Sequence, residues 1–291
     1  MDIVFHIGAN CTDEDRLLKS LLRNTGTLRQ HEVKVPGPGK YRRLLRETIQ
    51  GLDGAPPPPD TRQILLDAIL DDDPARRLVL SNSNFICIPN RIFENGVFYG
   101  LAEAKIQALL ALFPTDDISL CLAIRNPATF IPETFAASKF DDLGTFMRGM
   151  SPREVRWSDL ITRIRFAAPS CPLTVWCNED TPMIWGRLMR HLTGVPLTVP
   201  LVGTFDLLRT IMAKEGIERM EAYLKANPPP TPRHEEKIAL AFLDKYAVED
   251  LLEEEVDLPD FDQAMVTDLT EAYEADVETI RTFPGVKLIS P

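Results

Sequence analysis

The chain has 291 residues, 44% of them hydrophobic and 26% charged, with a formal net charge of −11. That length and balance suit one globular domain, alone or with an extension, and exclude a disordered or fibrous chain. Thirteen Asp and Glu lie between Ala247 and Ile280 with no Lys or Arg, whereas the rest of the chain holds 30 acids and 32 bases; the acidity is a solvated C-terminal face and speaks against nucleic-acid or anionic-membrane partners.

The opening "MDIVFHIGA" has no basic stretch followed by a long apolar one, so no secretory leader is expected. No apolar run reaches the roughly 18 residues that span a bilayer. Five widely spaced cysteines, Cys11, Cys87, Cys121, Cys171 and Cys177, form no CxxC pair and are expected as reduced thiols of a cytoplasmic protein. Cys87 and Cys121 are expected as buried strand residues.

Strands are expected at residues 2–8, 77–82, 118–124 and 173–178, each apolar nearly throughout, as parallel strands covered on both faces are. Helical patterns occupy 15–24, 39–49, 61–70, 100–112 and 158–167, with "GAPPPPD" (54–60) as a stiff loop between two of them. Strands alternating with helices imply an α/β fold with a mostly parallel sheet flanked by helices. After Val202 the pattern is helical: 204–227, a break at "NPPPTPR", 234–255, a break at "DLPDF" and 261–282. The expected organisation is an α/β core over 1–202 and a helical C-terminal extension over 203–291 packed on it, with "FPGVKLISP" able to form a last short strand.

Ligands of such sheets bind beyond the carboxyl ends of the strands, which directs attention to "HIGANCTDED" after the first strand. A strand, a glycine and a helix start are the layout of a phosphate loop. Here Thr12 and Asp15 form a capping-box pattern, and Asp13, Glu14 and Asp15 fall in the expected first helical turn, where they favour the helix dipole and oppose an incoming phosphate. His6 ends the strand as a base or substrate contact, or more commonly as a partner of neighbouring backbone. Glu179 and Asp180 follow a strand end, either orienting a substrate hydroxyl as general base or capping the next helix with Thr181 and Pro182. Residues 81–84, "SNSN", are ligand contacts or turn formers. No His/Cys/Asp cluster has metal-ligand spacing, and neither GxSxG nor GxxxxGK[ST] occurs.

"HIGANCTDEDRLLKSLLRN" (6–24) resembles the opening of bacterial sulfotransferase-like proteins, HIGxHKTGTTxLQxxLxxN, through His6, Ile7, Gly8, Ala9, Thr12, Leu17, Leu21 and Asn24. The resemblance implies a P-loop-type fold and a site for 3′-phosphoadenosine 5′-phosphosulfate (PAPS), with Gly8, Ala9, Asn10, Cys11 and Thr12 at the phosphosulfate loop. The family lysine is Cys11 here, its second glycine Asp13, and its two threonines Glu14 and Asp15. "LCLAIRNPATFIPETF" (120–135) resembles the family's Arg-x-Pro segment, in which the Arg and a serine eight positions on hold the 3′-phosphate of the cofactor; Arg125, Asn126 and Pro127 match, while the serine position is Glu133 with Thr134 beside it. By its own chemistry Arg125 is either a phosphate fork or an ion-pair partner of Glu133, Asp116 or Asp117. Weaker echoes at 78–86, 175–194 and the C-terminal helices extend the resemblance over most of the chain.

Three functions follow. The first is a sulfotransferase-fold protein that has lost PAPS-dependent catalysis and reuses its cleft for a ligand or protein. The second is an active sulfotransferase in which the N–H groups of residues 9–13 and a cation among Arg125, Arg16, Lys19 and Arg187 bind the cofactor. The third, a nucleotide hydrolase, is disfavoured because the loop has no lysine and no Mg²⁺-binding hydroxyl. PAPS or its product adenosine 3′,5′-bisphosphate is the cofactor only if the site survives.

Overall fold

A computed structural model describes residues 1–71, 73–248, 251 and 261–291. Six parallel strands form one sheet in the order β2-β3-β1-β4-β5-β6. In chain order these are β1 (Asp2–His6), β2 (Val33–Lys34), β3 (Arg77–Ser81), β4 (Asp117–Ile124), β5 (Leu173–Cys177) and β6 (Val286–Ile289). β1 is central, with Val4 opposite Val79 on one side and Ser119 on the other. The expected α/β fold with a parallel sheet is present, and so is the last short strand, which pairs Leu173 with Val286 and Trp176 with Ile289.

Thirteen α-helices lie among the described residues. Before β4 these are α1 (Arg16–Leu22), α2 (Thr25–Gln30), α3 (Pro38–Leu52), α4 (Thr61–Leu70) and α5 (Ala102–Leu112). Between β4 and β5 come α6 (Pro127–Ala136), α7 (Leu143–Met147) and α8 (Trp157–Ala167). After β5 follow α9 (Thr181–Thr193), α10 (Leu208–Ile211), α11 (Lys214–Ala226), α12 (Pro232–Tyr246) and α13 (Gln263–Arg281).

Alternation along β1 explains the two helical layers. Ile3 and Phe5 face one core with Tyr41 of α3, Leu66 of α4, Ile106 of α5, Ile161 of α8 and Ile280 of α13. Val4 faces the other core with Leu17, Leu18 and Leu21 of α1 and Trp185 and Leu188 of α9. Every residue of β5 is buried, as its apolar run requires.

The C-terminal part departs from three long helices. The expected helix over 204–227 breaks at Met212 and Ala213, which are extended because Met212 bridges Ala247 antiparallel and the Ala213 N–H donates to the Tyr246 carbonyl (2.9 Å). The α11–α12 approach depends on Gly216, where an added Cβ would collide with Tyr246. α10, α11 and α12 share a small core of Leu208, Met212, Ile217, Met220 and Ala239. The helix expected over 234–255 ends at Tyr246, and "DLPDF" falls almost entirely outside the described residues. α13 and β6 return to the sheet, α13 packing on α6 and α8.

Four elements escaped the sequence patterns: α2, two-residue β2, α6 with its internal Pro132, and α7. Cys87 is buried as expected but lies in the loop after β3 rather than in a strand.

Candidate functional site

β1 stands at the point where successive strands change sides: after β1 the chain runs out to β2 and back to β3, then crosses to β4. Ligand crevices open at such switch points, beyond the carboxyl ends of the strands. A cleft of ≈ 600 Å³ lies there, lined from the β1 loop, the α6 start, the β5 end, and Leu207, Thr210, Ile211, Leu243 and Leu251 above them.

The β1 loop is wired inward. The Ala9 N–H donates to the Ala123 carbonyl (2.9 Å), extending the sheet past β1. The Asn10 N–H donates to the Tyr99 hydroxyl (3.0 Å), which itself donates to Asn10 Oδ1 (2.6 Å). Asn10 Nδ2 donates to Asn84 Oδ1 (2.8 Å) and the Cys87 carbonyl (3.2 Å). Gly8 has φ +117°, and an added Cβ would sit 3.1 Å from the Ser83 carbonyl oxygen, so the glycine is required by the 81–84 turn pressed against it. Gly8, Ala9 and Asn10 are therefore absent from the cleft lining, while Cys11 and Thr12 contribute to it.

The helix start differs from the capping box. Thr12 donates its hydroxyl to the Ala9 carbonyl (2.9 Å) instead of accepting from residue 15. Glu14 and Asp15 are left-handed (φ 49° and 62°), which delays α1 to Arg16, so the three acids precede the first turn. Asp13 supplies the cap, its carboxylate accepting from the Leu17 N–H (3.1 Å).

His6 is 2% exposed beneath this loop and outside the cleft. Its Nδ1 is 2.9 Å from the Ser81 hydroxyl, and its ring lies 5.3 Å from that of Trp176. Burial pushes its pKa down, against the pull of Asp13 and Asp15, so the ring is neutral and Nε2 is buried without a hydrogen bond. The Ser81 carbonyl accepts from Arg42 Nη2 (2.7 Å), and Arg42 also forks Asp15 (2.8 and 2.6 Å), whose carboxyl it holds below the usual range.

Arg125, 4% exposed at the end of β4, reaches back across the cleft floor. Its Nη1 donates to the Cys11 carbonyl (2.6 Å) and to Glu133 (2.5 Å), and its Nε to the Thr129 hydroxyl (3.0 Å). Its own carbonyl accepts from Trp157 Nε1 (2.8 Å). Of the two chemistries open to Arg125, the ion pair with Glu133 is formed; Asp116 pairs with Arg62 at the far end of β4. Arg16 faces the cleft and pairs with Glu14 (3.2 Å), whereas Arg187 lies elsewhere, paired with Glu236 (2.8 Å), and Lys19 is exposed outside the lining. Thr134 is fully buried, its hydroxyl returned to the Phe130 carbonyl (2.7 Å), and takes no part in the cleft.

Glu179 lines the opposite wall and ties elements together rather than capping α9. Its residue surface is exposed on the rim, yet one carboxylate oxygen accepts from the Asn126 N–H (2.7 Å) and the other from the Tyr273 hydroxyl (3.0 Å). Desolvation of that carboxyl pushes its pKa up, opposed by these hydrogen bonds. Pro182 opens α9 as expected.

The charged lining comprises the carboxylates Asp13, Glu14, Glu133 and Glu179 and two arginines, each already paired; neutral polar groups such as Asn126, Asn178 and Thr210 and the apolar Met183, Leu207, Ile211 and Leu243 make up the rest. Such a lining suits an uncharged or cationic group better than a phosphate. Among the described residues no group of His, Cys, Asp and Glu could hold a metal ion. The roof from α10 and α12 was invisible to sequence reasoning, because nothing local in "DLLRT" or "AFLDK" marks it as covering a loop 200 residues away.

Cys11 is a poor nucleophile in this setting. Burial pushes its thiol up to about 11, aided by Glu133 and Glu14 and opposed by Arg125. A thiol raised from 9.0 has roughly 100-fold less thiolate at pH 8. Ellman's reagent at pH 8 is therefore expected to label native Cys11 at least about tenfold more slowly than the same thiol in denaturant. A rapid stoichiometric burst removed by Cys11→Ser would contradict this environment.

No protein-family model matches the chain, and no curated protein matches it. Among the described residues no helix is long and apolar enough to cross a membrane.

Proposed function

We propose that this chain is a sulfotransferase-fold protein that lacks PAPS-dependent catalysis and uses the cleft between the ends of β1, β4 and β5 to bind an uncharged or cationic ligand or protein segment. The observation that carries this reading is the wiring of Arg125. The cation best placed to receive a phosphate is bound to the Cys11 carbonyl and to Glu133, and three further carboxylates share the cleft. A phosphate about 6 Å from one such carboxylate meets a repulsion on the order of 1–3 kcal/mol. The two loop N–H groups of Ala9 and Asn10 are already donating within the fold. Five free thiols support a reducing, cytoplasmic setting.

Calorimetric titration with adenosine 3′,5′-bisphosphate tests the proposal, with Arg125→Ala alongside. No heat at about 1 mM ligand is expected of this cleft. Micromolar binding that disappears in Arg125→Ala would overturn the proposal and favour an active sulfotransferase, in which Arg125 exchanges Glu133 for the nucleotide.

A further inference from the structure

A second cavity lies on the β6 side of the sheet and shares no lining residue with the first. Its ≈ 490 Å³ falls within the ordinary range of small-molecule sites. Arg187 and Arg190 of α9, Arg233 of α12, Arg281 of α13 and Lys287 of β6 converge on it, and no carboxylate lines it. Four elements far apart in sequence thus bring five cations to one concavity in a chain of net charge −11.

The surrounding acids account for only part of that charge. Glu236 pairs with Arg187 (2.8 Å) and Glu278 with Arg281 (3.3 Å). Arg190 donates to the Pro196 and Val199 carbonyls (2.9 Å each), with Glu235 close enough to be felt; Asp180 likewise feels Arg187 and Arg281. Arg190, Arg233 and Lys287 make no ion pair among the described residues. The neighbouring wall is uncharged: His191 shares its Nε2 with the Thr174 hydroxyl (2.8 Å). Packing does not require like charges to meet in this way, and guanidinium forks match tetrahedral oxyanions. The patch is a pocket rather than a stripe, and the chain as a whole carries a net charge of −11, which disfavours a nucleic-acid backbone.

We infer that this pocket binds a multivalent anion of the phosphate class, such as the phosphate groups of a small phosphorylated metabolite. Arg233 and Lys287, both exposed, and Arg190 supply the charge that holds the anion.

The test is calorimetry of the full chain with inorganic pyrophosphate at low ionic strength, repeated in about 150 mM salt. Binding at one site with Kd below about 1 mM is expected, weakened by salt and at least about tenfold weaker in Arg233→Ala/Lys287→Ala. Neither side chain has an ion pair to lose, so the double variant is expected to melt as the parent does. Arg125→Ala is expected to bind as the parent does. No binding at about 10 mM pyrophosphate, or binding indifferent to the double variant, overturns the inference. Binding abolished by Arg125→Ala would place the anion in the first cleft and overturn the proposed function as well.

Discussion

Asp276→Ala is expected to lower stability by about 3 kcal/mol, a fall of roughly 6–10 °C in Tm. α8 begins without a capping side chain of its own. Asp276, 6% exposed on α13, supplies that cap from 119 residues away: its Oδ2 accepts from the N–H groups of Trp157 (2.7 Å) and Ser158 (3.1 Å), and its Oδ1 from the Ser158 hydroxyl. Alanine strands two N–H donors in a dry setting, at about 1–3 kcal/mol each before relaxation. Asp276→Asn retains an acceptor and should lose less. The effect extends to the cleft, because Trp157 donates its indole N–H to the Arg125 carbonyl. Urea denaturation monitored by tryptophan fluorescence checks the magnitude; a loss under about 0.5 kcal/mol would mean that α8 is held by packing alone.

Acidification from pH 7 to 4.5 is expected to cost about 2 kcal/mol through His191 alone. Burial holds this imidazole at about 4, helped by Lys287 and Arg77, against 6.5 in the unfolded chain. Between those values the unfolded state binds the extra proton, so stability falls as pH falls through 6.5 and levels off near 4. His6, also lowered, tilts the curve the same way. Glu235 and Glu236, raised by burial, tilt it the other way. The His191 share is therefore the difference between the parent and His191→Gln, which keeps a donor for Thr174. Denaturation at pH 7, 6, 5 and 4.5 should show the two proteins converging towards acid; parallel curves would show that His191 titrates normally.

The central strands were legible because both faces of the sheet are covered, so Ile3 to Ile7 and β5 are apolar but for His6 and Thr174. β2 was not, since two residues hold no period. At the β1 loop the sequence located the cleft through its position after the first strand, and Cys11, Thr12, Arg125 and Glu179 do line it. The side-chain geometry was beyond local pattern. Two successive left-handed residues, Glu14 and Asp15, undo a capping box that their spacing favours. Thr134 turns inward because α6 places it on the same face as Phe130 and Ile131. The five-cation pocket joins α9, α12, α13 and β6, and only the finished topology brings those together.

The parallel pairing of β5 with β6 has a consequence for synthesis. β5 ends at Cys177 and its partner begins at Val286. At roughly 5–20 residues per second the ribosome takes about 5–20 s to bridge that interval. Through it the nascent chain presents Leu173–Cys177, apolar but for Thr174, as an open sheet margin, and α8 waits for the carboxylate of Asp276. Unpartnered apolar margins recruit other strands. Interrupted products that stop short of β6 are thus the species most prone to cross-chain association, and an N-terminal fragment cut at residue 202 would carry the same open margin permanently.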